Sequence, residues 1–211
     1  MPSTEYPVQF SVAYPERRLN RGTTFFRIFA AIPILIVLGA VDGAQVTTWS
    51  GNGSSYSAVV GAGGVLFAAP LLMILFRGKY PRWWFDWNLE LQRFINRAGV
   101  YILLMDDTYP STDDHQSVWL EYPYPDVARD LVRWKPLVKW FLAIPHYVVL
   151  FFLGIGAFFA VIYAWFAILF TGTYPAGVFR YVEGVMRWSN RVTAYAFTLV
   201  TDEYPPFRLG V

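Results

Sequence analysis

The 211 residues carry 17 Lys and Arg against 15 Asp and Glu, a formal net charge of +2, with 55% hydrophobic and only 15% charged residues. Typical soluble chains are about 25% charged, so an ordinary soluble domain is not the expectation, and so small a net charge gives no reason to expect nucleic acid. The absence of cysteine removes disulfides, thiolate nucleophiles and thiolate metal sites.

In chain order, the first 24 residues hold no apolar core of signal-peptide length, so no cleavage is expected. Residues 6–12 alternate as a strand would. A first apolar run covers about 25–41 and a second about 58–76, each long enough to span a bilayer. The segment between them has no Lys or Arg and one acid, Asp42; it carries an Asn52-Gly-Ser54 acceptor pattern that loop flexibility explains equally well. Gly61, Gly63 and Gly64 lie inside the second run, where small residues let another helix come close. Pro81 and Pro175 suit helix starts. Behind them, about 82–105 and 176–200 read as amphipathic helices lying in the inner interface. Residues 118–122 alternate again, so a minor cytoplasmic β-element is compatible with the pattern.

The 33 residues 138–170 would make a helix of about 50 Å, longer than one crossing of a ~30 Å core requires. One crossing would also carry Arg180, Arg187, Arg191 and Arg208 to the outside. A hairpin turning at Gly154 and Gly156 keeps them inside, either fully spanning or re-entrant. All 17 basic residues then fall on one side, with Arg27 and Lys139 at the mouths of the runs. This positive-inside pattern is that of a multi-pass integral membrane protein with both termini cytoplasmic. Aromatic residues, 19% of the chain, gather at the ends of the runs as a belt.

Internal similarity is visible. Phe76-Arg-Gly-Lys-Tyr-Pro81 returns as Phe170-Thr-Gly-Thr-Tyr-Pro175, and Arg93-Phe-Ile-Asn-Arg97 as Arg187-Trp-Ser-Asn-Arg191. Tyr101 answers Tyr195, and Asp107-Thr-Tyr-Pro110 answers Asp202-Glu-Tyr-Pro205. Ala31-Ile-Pro33 answers Ala143-Ile-Pro145, with Arg21 and Arg27 matched by Arg133 and Lys139. The expected fold is an all-α membrane protein of two tandem units, 1–116 and 117–211. Each unit is a transmembrane helical hairpin followed by an amphipathic cytoplasmic interfacial helix, and a pseudo-twofold along the membrane normal relates them.

Ala143-Ile-Pro-His146, Phe170-Thr-Gly-Thr-Tyr-Pro175 and Asp202-Glu-Tyr-Pro-Pro-Phe207 together resemble a bacterial family known as domain of unknown function 4389. The second unit fits closely. The first fits more loosely, since Ile34 stands in place of His146 and Ser111 in place of Pro206. The resemblance implies a membrane protein and brings no activity with it.

Candidate chemistry is sparse. His146 sits one turn inside the third run, where an ionisable side chain points to proton transfer or metal binding, or else satisfies a carbonyl freed by Pro145. Asp106, Asp107, Asp113, Asp114 and His115 make an acidic connector without a calcium-loop spacing. Arg97 and Arg191 pair with Asp107 and Asp202 as helix clamps, or else join Arg93 and Arg187 in gripping lipid headgroups. No triad, phosphate loop or zinc spacing is present, so no enzyme, metal or cofactor is expected. The leading expectation is a non-catalytic accessory or scaffold subunit that docks through its membrane helices to other subunits or to itself. The alternative is a lipid-binding or transport-related protein.

Overall fold

The computed structural model describes residues 6–42, 46–48, 56–58, 68–112, 114 and 116–211. Gly61, Gly63, Gly64, Asp113 and His115 lie outside them. The chain is mostly helical, in the order β1 (Gln9–Val12), α1 (Arg21–Asp42), β2 (Val46–Thr48), β3 (Tyr56–Ala58), α2 (Ala68–Arg77), α3 (Arg82–Ile102), β4 (Val118–Glu121), α4 (Pro136–Leu142), α5 (Ile144–Thr171) and α6 (Ala176–Ala196). α1 and α5 are long and apolar enough to cross a membrane, and little of either is buried.

Three layers build the body. The lowest is an antiparallel pair, β1 with β4, in register Phe10 to Leu120 and Val12 to Val118. These four side chains are buried, whereas Ser11 and Trp119 face outward, which is the period-two alternation of a half-covered sheet. α3 and α6 form the middle layer; α6 packs on β1 and α3 on β4. α1, α4 and α5 form the outer layer.

Several local features occur twice. α3 and α6 are each 21 residues, and each opens after an extended proline, Pro81 or Pro175. A proline there forfeits only a donor that the first turn leaves unused. Gly78 and Gly172 end the preceding helices with φ of 57° and 76°. Alanine at either position should cost about 1–2 kcal/mol, because a Cβ in left-handed backbone crowds the following carbonyl. Denaturation of each variant in detergent checks this. Leu104 and Leu199, just beyond α3 and α6, share the same left-handed turn at 65° and 59°. The middle and lower layers are also joined crosswise. The Tyr14 hydroxyl donates to the Tyr174 carbonyl, and the Tyr124 hydroxyl donates to the Tyr80 carbonyl. Arg187 Nε donates to Phe10 O at 2.9 Å, and Arg93 Nε to Leu120 O at 3.0 Å. Where α3 and α6 meet, the Asn96 and Asn190 amides donate to each other at 2.8 and 2.7 Å.

The expected hairpin at 138–170 is not formed. α5 is one helix, and Gly154 and Gly156 lie in its interior instead of at a turn. A helical glycine costs only about 1 kcal/mol relative to alanine, less than opening several backbone hydrogen bonds in apolar surroundings. Gly156 has a packing reason: a Cβ there would stand 2.5 Å from the Tyr181 oxygen. That hydroxyl donates to Leu153 O at 2.9 Å.

α5 instead lies along the body. His146 meets Trp188 and Leu153 meets Tyr181, so seven residues forward on α5 correspond to seven residues back on α6. Its N-terminal end, through Ala143, joins a cluster with Trp188, Val192 and Tyr195. At its far end the Trp165 indole donates to Thr24 O at 3.2 Å, Ile168 is fully buried, and Gly172 O accepts from Leu19 N. Both ends are therefore held by the same body. The inner face of α5 is small or aliphatic (Ala157, Ala164, Ile168), while Phe151, Phe152, Phe158, Phe159 and Phe166 stand exposed on the outer face. α6 differs accordingly from a helix lying directly on headgroups: α5 covers one of its sides and β1 another.

Candidate functional site

Four chemistry-bearing arrangements lie within the described residues. The first is a pair of buried ion pairs. Arg27 on α1, 2% exposed, is bonded to the Asp107 carboxylate, and also donates to the carbonyls of Tyr101 (3.1 Å) and Asp106 (2.6 Å). The other Asp107 oxygen accepts the Asn20 backbone N–H at 2.6 Å. Lys139 on α4, fully buried, stands 2.7 Å from Asp202 and donates to Thr201 O at 2.7 Å. The second Asp202 oxygen accepts the Val132 N–H at 2.8 Å. Each cation also stands over a ring, Arg27 over Tyr101 at 4.2 Å and Lys139 over Tyr195 at 5.2 Å. Burial pulls the Lys139 ammonium below its usual value, and Asp202 beside it opposes that shift. Each arrangement ties the start of an outer-layer helix to the exit of a middle-layer helix, so these are structural clamps.

The arginines expected to serve as clamps or headgroup grips are placed differently. Arg97 and Arg191 do not pair with Asp107 or Asp202. Arg97, 4% exposed, donates to Ser111 O and Thr112 O, both at 3.0 Å. Arg191, 2% exposed, donates to Arg208 O at 3.3 Å. They hold the downstream segment through backbone carbonyls, while Arg27 and Lys139 take the two carboxylates. Arg93 and Arg187 face the sheet, and Glu90 and Glu183 on their own helices complete their partners. All four make contacts within the fold, and the Nε atoms of Arg97 and Arg191 find no partner among the described residues. In the sequence Arg27 and Lys139 stand out only as answering positions of the two similar segments, each ahead of its own aspartate.

His146 forms the second arrangement. Fully buried, it accepts the Trp188 indole proton on Nδ1 at 3.0 Å, stacks on Phe207 at 4.0 Å and touches Tyr204. Its Nε2 finds no partner among the described residues. Among the described residues no carboxylate stands against it, and its aromatic neighbours lock α5 to α6 and to the C-terminal segment. The acidic connector shows no metal-holding group among the described residues; Asp106 is paired with Arg17 at 3.2 Å. Third, two buried phenols sit beside the crosswise joints: the Tyr80 hydroxyl donates to Thr198 O at 2.8 Å, and the Tyr174 hydroxyl finds no partner among the described residues. Burial pushes Tyr80 and Tyr174 above the usual range, which keeps both protonated.

The fourth is a cleft of about 440 Å³ between α1, the exit of α3 and α5. Ile28, Ala31, Phe158, Val161, Ile162 and Trp165 supply most of its wall, and Arg27 closes the inner end. Periodicity within single helices does not reveal it, since its walls come from elements more than 120 residues apart in the chain.

Residues 133–208 match the sequence profile of a family described as Domain of unknown function (DUF4389). No curated protein and no solved structure matches the chain. The matched stretch runs from the lead-in to α4 through the C-terminal segment, and so contains Lys139, His146, α5, α6 and Asp202.

Proposed function

We propose that the chain is a non-catalytic protein of the bacterial cytoplasmic membrane, built of two tandem units, that docks through its membrane-embedded helices to a larger assembly or to further copies of itself. The observation that carries this reading is the outer layer. α1, α4 and α5 expose an uninterrupted apolar surface, and α5 has no Asp, Glu, Lys or Arg from Ile144 to Thr171. An exposed apolar patch of this extent on a protein marks a membrane or protein contact.

The doubled contacts support the duplication. Arg27–Asp107 and Lys139–Asp202, Gly78 and Gly172, Leu104 and Leu199, and the reciprocal tyrosine, arginine and asparagine bonds are what a pseudo-twofold between two copied units produces. In this reading α1 is the spanning helix of the first unit, and the chain is back on the cytoplasmic side by α3. In the second unit α5 remains flat on the body with its phenylalanine face in the inner leaflet. A flat α5 keeps the basic residues before and after it on the cytoplasmic side. That is the demand the positive-inside pattern makes, and it is met without a second hairpin.

The polar clusters support a scaffold over an enzyme. Arg27, Arg97, Lys139, His146, Arg191, Asp107 and Asp202 all have intramolecular partners, and each partner joins two elements of the fold. Extraction of native membranes tests the proposal. The chain should resist alkaline carbonate, dissolve in mild detergent, and migrate with a stoichiometric second protein or as a homo-oligomer. Release by carbonate as a lone 24.2 kDa chain would overturn it.

A further inference from the structure

The cleft between α1 and α5 has an apolar interior, and beyond its lining, off the Thr24 end, stand two arginines. Thr24, Ile28 and Ala31 follow one stripe of α1 along its wall. Arg21 precedes Thr24 by three residues on the same stripe, since positions three and four apart share a helix face. Arg18 and Arg21 both lie against the C-terminal end of α5. A Cβ built on Gly172 would stand 3.7 Å from Arg18 Cδ and 3.8 Å from Arg21 Nε. Both arginines are exposed, and among the described residues neither makes an ion pair or hydrogen bond through its guanidinium. Closing carbonyls of α5 account for cations at this helix end. They do not account for an apolar cleft continuing from those cations.

The interior is electrically closed. Arg27 at the inner end is matched by Asp107, and the Trp165 indole N–H is spent on Thr24 O, leaving its ring as apolar wall. The volume of about 440 Å³ falls within the ~300–1,000 Å³ usual for ligand sites. Unmatched positive charge at the mouth and none inside describe an amphiphile with an anionic head. The exposed faces of Ile28 and Phe158 beside the cleft belong to the outer apolar layer, so it opens where lipid would lie.

We infer that this cleft holds one acyl chain of an anionic phospholipid whose phosphate rests on Arg18 and Arg21. The inference rests on the membrane seat proposed above. It assigns lipid contact to residues other than Arg93, Arg97, Arg187 and Arg191, each of which bonds a backbone carbonyl within the fold.

The test uses the full chain reconstituted in phosphatidylcholine vesicles with and without phosphatidylglycerol, then native mass spectrometry from mild detergent. Wild type should retain one phosphatidylglycerol per chain. Arg18→Gln/Arg21→Gln should weaken phosphatidylglycerol binding roughly thirtyfold, as loss of two headgroup cations implies. Ile162→Trp, which fills the cleft from its rim, should do the same. Arg129→Gln/Arg180→Gln removes equal charge elsewhere and should leave retention intact. Unchanged retention in the first two variants overturns the site, as does equal retention of phosphatidylcholine. Displacement of the lipid by inorganic phosphate alone would overturn the acyl-chain part. Failure of wild type to associate with either vesicle would instead sink the membrane seat, which keeps the two failures apart.

Discussion

Replacing Asp107 or Asp202 by alanine should destabilise the folded chain by about 3–5 kcal/mol, the usual cost of stranding one partner of a buried ion pair. Arg27 is 2% exposed and Lys139 fully buried, so neither has water to turn to. Each aspartate also accepts a backbone N–H, from Asn20 or Val132, and the variant loses that bond as well. Arg27→Met/Asp107→Ala should recover most of the loss, because it removes the uncompensated charge along with its partner. Unfolding by denaturant in detergent, followed through the nine tryptophans, gives the double-mutant cycle. Additive effects would show that the pair is not coupled and that the clamp lies elsewhere.

Phe152→Lys and Phe159→Lys should each cost the membrane-seated fold at most about 2.5 kcal/mol, below the ~2.5–3.5 kcal/mol of a lysine at the centre of a spanning helix, because α5 lies flat in the inner leaflet. The cost falls further where the side chain can snorkel. Both phenylalanines are more than 60% exposed on the outer face of α5, so neither change opens a cavity in the body. Trp119→Lys is the control. Trp119 is 56% exposed on the outward side of the β1–β4 sheet, the layer farthest from α5, and its replacement should cost little. Equal, near-zero effects at all three positions would mean that the phenylalanine face meets water and not lipid.

Much of the middle layer was legible in the sequence because local rules govern it. Proline at a helix start and the 3.6-residue period bracket 82–105 and 176–200 to within a few residues of α3 and α6. The β1–β4 strands were legible from alternation alone. The expected helix extensions overran because Leu104 and Leu199 turn left-handed, which no local preference of leucine announces.

At 138–170 two glycines and a one-sided charge distribution do not make a turn, since α5 runs unbroken through both. Charge placement fixes which side each end occupies, but a helix lying flat satisfies it as well as a hairpin does. Only tertiary contacts distinguish the two, notably Tyr181 reaching over Gly156 and Trp188 bonding His146. The same limit applies to the site. Arg97 and Asp107 are near in sequence and opposite in charge, yet Arg27, 80 residues away, takes the carboxylate. Pairing across such distances depends on topology, and the only sequence trace was the parallel position of Lys139 ahead of Asp202.

The chain's lack of cysteine makes the central geometry directly measurable. Single cysteines at Arg129, an exposed position before α4, and at Gly177, where a side chain meets nothing within 4 Å, flank α5 on either side. Labelling with a membrane-impermeant maleimide, in right-side-out and inside-out vesicles, reports the side of each position. The flat α5 predicts that both react in inside-out vesicles and neither in right-side-out ones. Reaction of the two from opposite sides would show that α5 crosses the bilayer, and would contradict the account.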